Sequence, residues 1–260
     1  MSKTLNVALV QTDLVWEDPE ANRRLLDDKI NALSSEVDLI VFPEMFTSGF
    51  TMNPSAVAET MEGRTIEWLK EKAKEKQAVL MGSLVITEND NFYNRMVCVE
   101  PSGAITKYDK RHTFTLANEH KVYTAGTEKV IFEYKGWKIC PLVCYDLRFP
   151  VWARNVEDYD LLVYIASWPK VRITAWDTLL KARAIENMTY CIGVNRVGLD
   201  GNNHEYSGHS VAYDVLGNRL DTLKESEDAT EIVTLKKDQI KTYRDKLSFL
   251  KDRDSFSLKV

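Results

Sequence analysis

A chain of 260 residues, 44% hydrophobic and 28% charged, has the make-up of an ordinary globular protein. Its formal net charge of −5 comes without the basic stripe that tracks nucleic acid, and no apolar run is long enough to span a bilayer. Met1-Ser2-Lys3-Thr4 lead straight into a strand, with no signal-peptide segment, so the expectation is a cytoplasmic protein whose four cysteines stay reduced.

Residues 5–11 form an aliphatic, β-branched strand. Asp18 caps a helix over about 19–34, with Pro19 in its first turn. Residues 38–42 are a fully buried strand. Residues 65–77 form an amphipathic helix, with Ile66, Leu69 and Ala73 at helical spacing. Residues 78–86 are again strand. Strands 94–99 and 104–108 flank Pro101-Ser102-Gly103, a hairpin signal. Strands 130–134 and 137–143 flank Lys135-Gly136, a second hairpin. A short helix follows, then a strand over 161–166 and a helix over 173–187 with Ile173, Trp176, Leu179 and Leu180 as its apolar stripe. Strands over 191–197, 207–214 and 231–235 complete the pattern. Crossover helices together with hairpins imply mixed α/β sheets. No linker rich in Pro, Gly or Ser and no repeat interrupts residues 1–260, which read as one domain.

Three segments carry chemistry. Cys144 ends the apolar run Trp137-Lys138-Ile139-Cys140-Pro141-Leu142-Val143 and precedes a polar stretch. Strand ends are where an α/β scaffold presents its reactive residues. Alone, such a cysteine is more often a small buried hydrophobe. Glu44 follows Asp38-Leu39-Ile40-Val41-Phe42-Pro43, and alone it is a solvated strand end. Lys110, within Lys107-Tyr108-Asp109-Lys110-Arg111-His112, alone is a solvated cation.

Together, Phe42-Pro43-Glu44, Tyr108-Asp109-Lys110-Arg111-His112 and Cys144-Tyr145-Asp146-Leu147-Arg148-Phe149-Pro150 resemble, in this order, the Glu-Lys-Cys signature of the nitrilase superfamily, the carbon-nitrogen hydrolases. Three ordered blocks are more specific than one motif. The resemblance runs from Asn6-Val7-Ala8-Leu9-Val10-Gln11 to Ser210-Val211-Ala212-Tyr213-Asp214 and beyond. It implies an α-β-β-α four-layer sandwich, two sheets face to face with helices outside, and a hydrolase that needs no cofactor or metal. A cysteine attacks as thiolate, and a free pKa near ~8.5 leaves little thiolate at neutral pH. The resemblance therefore makes Glu44 the base, Lys110 the charge that meets the oxyanion and favours thiolate, and the Tyr145 N–H a second oxyanion donor. Glu119 is the candidate fourth member, orienting Lys110; its alternative is a solvent-facing helix acid.

Other schemes are weaker. None of His112, His120, His204 and His209 stands in a block that names it as a base. His112 and His209 are more simply core or rim residues, and the family places the His209 segment near the site wall. Cys140 and Cys144 have no matching second pair for zinc, and Cys98 and Cys191 are isolated. On one regular strand Cys140 and Cys144 would share a face, with Cys140 packed under the site. No phosphate-binding glycine loop is present.

The blocks Glu44-Met45-Phe46-Thr47-Ser48-Gly49-Phe50, Ala166-Ser167-Trp168-Pro169 and the stretch from Trp176 to Asn187 resemble the omega-amidase branch. That branch implies hydrolysis of the terminal amide of small dicarboxylic monoamides: 2-oxoglutaramate, 2-oxosuccinamate and succinamate. The far carboxylate of such a substrate calls for a cation, ideally a planar guanidinium. Arg148 and Arg172 are the candidates. Arg148 has the alternative of an internal salt bridge, and Arg172 that of a solvated loop residue. Phe46, Tyr145 and Trp168 either wall a small pocket or pack the core. The other readings are the same fold acting on a nitrile, an N-carbamoyl compound or another amide, and a catalytically inactive small-molecule binder. The resemblance also implies a homodimer in which the tail around residues 249–256 packs on the partner; the alternative is a tail folded back on its own domain.

Overall fold

The computed structural model describes residues 3–34 and 36–259. Met1 and Ser2, part of the N-terminal segment discussed above, lie outside the described residues. Strands β1 (Thr4–Gln11), β2 (Leu39–Val41), β3 (Val79–Glu88), β4 (Asn91–Val99), β5 (Ile105–Asp109) and β13 (Ala229–Lys236) form a six-stranded sheet in the order β13-β1-β2-β3-β4-β5. β1, β2 and β3 run parallel, joined by crossovers that contain α1 (Pro19–Ala32), α2 (Pro54–Val57) and α3 (Arg64–Lys76), and the remaining pairs are antiparallel. The second sheet has the order β12-β9-β8-β7-β6, from β6 (Phe132–Tyr134), β7 (Trp137–Val143), β8 (Leu161–Ala166), β9 (Tyr190–Asn195) and β12 (Val211–Tyr213). Its parallel strands β7, β8 and β9 are linked through α4 (Pro150–Ala153) and α5 (Ile173–Asn187).

Residue alternation explains the layers. On β1, Leu5, Val7 and Leu9 join a core shared with Ile139, Leu142 and Val163 of the second sheet. Ala8 and Val10 point the other way, onto Leu26 and Ile30 of α1 and Ile66, Leu69 and Ala73 of α3. A period of two with both faces covered makes the strand apolar throughout. Each aliphatic side chain so buried contributes roughly 1.5–3 kcal/mol. On the opposite side, Trp176, Leu180 and Ala184 of α5 pack against β9. Gly193 permits that approach: a Cβ there would lie 2.4 Å from the Leu180 side chain and 2.7 Å from Trp176. The result is the expected α-β-β-α sandwich.

Local signals set the boundaries. The Asp18 side chain accepts the Ala21 N–H at 2.9 Å and starts α1 with Pro19 in its first turn. Two expectations fail and one element is unforeseen. The strand expected over 207–214 is broken, because Gly208 and His209 have φ of 74° and 60° and turn the chain between sheets. Its halves are β11 (Glu205–Ser207), paired with β10 (Val197–Leu199) in a separate ribbon, and β12. The strand expected over 191–197 likewise stops at Asn195. Finally, α6 (Lys237–Leu247) follows β13 unforeseen; it is mostly polar, and Ile240 is its buried anchor. The tail beyond α6 touches its own chain, through buried Leu250 and through Arg253, which is 3.1 Å from Asp158.

Candidate active site

Parallel strands of both sheets end at one place. Glu44 follows β2, Cys144 follows β7 and Ser167 follows β8, while Lys110 follows β5. Carboxyl ends of parallel strands are where open α/β sheets build sites.

Each segment is pinned locally. Beyond β2, the Phe42 N–H donates to the Met81 carbonyl at 2.7 Å and the Met45 N–H to Ser83 Oγ at 2.8 Å. Met45 has φ of 45°, so the strand alternation stops there. The Lys110 N–H donates to the Asn94 carbonyl, and the Lys110 carbonyl accepts from the Gly126 N–H, both at 3.0 Å. Cys144 also has φ of 45°, a left-handed conformation that costs a non-glycine residue roughly 1–3 kcal/mol. Buried Asp146 offsets that strain. It accepts the Val143 N–H at 3.0 Å, the Tyr108 hydroxyl at 2.7 Å and the His112 N–H at 2.9 Å. His112 Nδ1 stands 2.8 Å from the same carboxylate, and its ring stacks on Phe149. Asp146 thus ties the Lys110 segment to the turn that carries the thiol.

Glu44, Lys110 and Glu119 form one buried cluster, each at most 1% exposed. Lys110 Nζ donates to Glu44 Oε1 at 2.9 Å and to Glu119 Oε2 and Oε1 at 2.8 and 3.0 Å. The Ser167 N–H donates to Glu44 Oε2 at 2.8 Å, and the Phe114 N–H donates to Glu119. Burial by itself disfavours the Lys110 ammonium, but the charges of Glu119 and Glu44 outweigh it and raise its pKa above the usual lysine value. Burial raises the Glu119 pKa, against the pull of Lys110. The Cys144 thiol is pushed well above the usual range, first by burial and then by the neighbouring Glu44 charge. Lys110 does favour thiolate, as expected, yet loses to those two effects because its charge already faces two carboxylates. Cys144 is therefore a resting thiol with a carboxylate beside it, an arrangement suited to proton removal during attack.

A cavity of about 340 Å³ is lined by Cys144, Tyr145, Trp168, Arg148 and Arg172. The Arg148 guanidinium lies over the Trp168 ring at 4.9 Å, and that of Arg172 over Phe114 at 5.2 Å. Neither has an acidic partner among the described residues, so the internal salt bridge considered for Arg148 does not form. Phe46 is a correction. It is fully buried against Phe42 and Trp68 in the core under α3, and it does not line the cavity. Glu119 is not a solvent-facing acid either. It lies in a tight 3-10 turn, Glu119–Lys121, inside the cluster.

The structure adds residues that sequence reasoning missed. Asn94 on β4 touches both carboxylates. Its signal was a polar side chain in register with Met96 and Cys98, which face the inter-sheet core. The β10–β11 ribbon adds Asp200, His204 and Tyr206 to the cavity wall. Asp200 accepts the Tyr206 hydroxyl and the His204 N–H, both at 2.9 Å. Burial would raise its pKa, but these donors and the Asn202 N–H hold it below the usual carboxylate value. No local periodicity points to a ribbon of three-residue strands. His209 does not line the cavity, though Tyr206 of the same segment does; its Nδ1 lies 3.0 Å from Asp177. Cys140 is buried core, but the face-sharing argument lapses because β7 ends at Val143. Among the described residues no group of three or more His, Cys, Asp or Glu side chains is arranged to hold a metal, and no helix is long and apolar enough to cross a membrane.

A four-layer sandwich with a thiol, two carboxylates and an ammonium at its strand ends defines a hydrolase class. The carbon-nitrogen hydrolase family model matches residues 6–245, and the chain belongs to that family. It is 44% identical over 255 residues to an omega-amidase of Escherichia coli K12, with 98% of each chain covered. It is 34% identical over 219 residues to a 2-oxoglutaramate amidase of Bacillus subtilis, covering 82% of this chain and 84% of the relative. Among solved structures, a carbon-nitrogen hydrolase superfamily protein from Xanthomonas campestris, with an arsenic adduct in its active site, is 39% identical. It superposes with a TM-score of 0.97 over 99% of this chain and 100% of that one.

Proposed function

We propose that this chain is an omega-amidase, hydrolysing the terminal amide of small dicarboxylic acid monoamides such as 2-oxoglutaramate, 2-oxosuccinamate and succinamate to the acid and ammonia. The observation that carries the substrate class is the pair of guanidiniums, Arg148 and Arg172, that line the Cys144 cavity without acidic partners among the described residues. An amide whose far end is a carboxylate supplies the missing anion. The names of the E. coli and B. subtilis relatives agree with this reading.

In the proposed mechanism, Glu44 removes the Cys144 proton as the sulfur attacks the amide carbon. The oxyanion that forms is met by the Lys110 ammonium and the Tyr145 N–H. Losing one such donor in comparable sites costs roughly a hundredfold or more in rate. The C–N bond then breaks, and Glu44 returns its proton to the leaving nitrogen as ammonia departs. Water, deprotonated by Glu44, attacks the thioester; the acid leaves and the thiol is restored. Glu119 holds Lys110, and Trp168 and Tyr145 flank the short carbon chain. We read residues 1–260 as one domain, supported by a hydrophobic core that joins both sheets. We read its compartment as cytoplasmic, consistent with four free cysteines. A homodimer is our reading of the exposed apolar side chains Phe249, Phe256 and Leu258 on the tail and Val151 on α4.

The test is ammonia release from 2-oxoglutaramate and succinamate by the wild type and by Cys144→Ala, side by side. Release by the wild type alone, with at least about a 10⁴-fold loss in the variant, is expected. Release from a neutral amide or a nitrile, but not from these two, overturns the substrate class. Equal release by both proteins overturns the nucleophile.

A further inference from the structure

Asn94, near the start of β4, is 1% exposed and meets both carboxylates of the cluster. Its Nδ2 donates to Glu44 Oε1 at 2.8 Å and to Glu119 Oε1 at 3.2 Å. Its backbone carbonyl accepts the Lys110 N–H. Its Oδ1 is buried without a hydrogen-bond partner among the described residues. A carboxamide has two donors on nitrogen and only acceptor sites on oxygen. The observed orientation places one N–H on each carboxylate. The flipped amide would set its oxygen against two acceptors. Leaving Oδ1 unpaired is a penalty that two charge-assisted hydrogen bonds outweigh.

We infer that Asn94 is a positioning residue that keeps Glu44 and Glu119 ionised together, so that Glu44 meets the Cys144 thiol as an empty base. The inference rests on the amidase mechanism above. Glu44 and Glu119 bring two negative charges into a closed space, and Lys110 brings one positive charge. A second cation at position 94 would neutralise the excess but would weaken Glu44 as a base. A neutral double donor stabilises both anions and leaves Glu44 able to take the Cys144 proton. The titratable groups that meet this amide are Glu44 after β2 and Glu119 in its turn; those acting on the two carboxylates from the surrounding elements are Lys110 after β5, Cys144 after β7 and Tyr123. Arg95, the next residue on β4, points to the other face and pairs with Asp109 and Glu88. Asn94 does not line the cavity, so it acts through Glu44 and not on substrate.

The experiment compares the wild type with Asn94→Ala and Asn94→Asp. Two pH profiles are recorded: kcat/KM for succinamate, and the rate of Cys144 alkylation by iodoacetamide. Removing donors from a carboxylate disfavours its charged form, so the acid limb of both profiles moves up toward neutral pH. In Asn94→Asp a third carboxyl adds repulsion in the same direction. We expect kcat near neutral pH to fall by about tenfold or more while KM changes by less than about threefold. A slower enzyme whose acid limbs stay at the wild-type position overturns the inference, as does a rise in KM at unchanged kcat. Loss of the wild-type circular dichroism in both variants also overturns it, since a scaffold role then accounts for Asn94. The alkylation profile needs no amide substrate, so failure of the omega-amidase reading leaves it intact as a separate result.

Discussion

The floor of the site, a buried cluster behind the cavity wall, and the rim of the cavity are built on opposite electrostatic plans. At the floor, Glu44, Lys110, Glu119 and Asn94 are buried and bonded to one another. At the rim, exposed Arg148 and half-buried Arg172 lie over aromatic rings with no acidic partner among the described residues. A buried charge without compensation is costly, so the buried charges are held together by the fold itself. A rim charge keeps contact with water and can wait for a ligand. The difference teaches which substitutions should damage the protein and which only its choice of substrate.

Lys110→Met breaks the floor and should have the largest effect. It strands two carboxylates without their counter-ion, a change that costs about 3–5 kcal/mol in comparable buried pairs. Thermal unfolding should show a large drop in Tm, together with a roughly hundredfold or greater loss of kcat. An unchanged Tm would show that one carboxyl is already protonated in the resting enzyme. Arg172→Ala should leave Tm at the wild-type value while raising KM for succinamate by about tenfold, with little change for a neutral amide of the same length. Equal effects on both amides would shift the carboxylate contact to Arg148. The smallest effect concerns salt. Raising ionic strength screens the rim and not the floor, so KM for the anionic substrate should rise by about twofold to threefold while kcat holds. A fall in kcat with salt would erase the distinction between floor and rim.

Much of this division was legible in the sequence. The three blocks around Glu44, Lys110 and Cys144 stand at strand ends whose apolar runs announce burial. Phe46 shows where such reasoning stops. In a regular strand, residues 42, 44 and 46 share a face. Phe42 and Phe46 keep theirs, packed on each other and on Trp68 under α3, while Glu44 leaves it for the buried cluster, because β2 ends at Val41 and the backbone turns left-handed at Met45. Glycine is the usual signal for such a backbone, and neither Met45 nor Cys144 carries it.

By itself, the sequence carried most of the strand and helix pattern through residues 5–108 and 130–187, and the resemblance of its three blocks to a family supplied the sandwich class and the candidates Glu44, Lys110 and Cys144. Only the tertiary structure decided that Asn94 reaches Glu44 across 50 positions, that the Ser167 N–H reaches it across 123, and that both arginines lack an acidic partner among the described residues. It also decided that Asp200, His204 and Tyr206 close the wall. The physical reason is that periodicity encodes which face of an element is buried, a property local to the chain. Which polar groups meet on that face depends on how the sheets register and where their loops end, and no single segment carries that information.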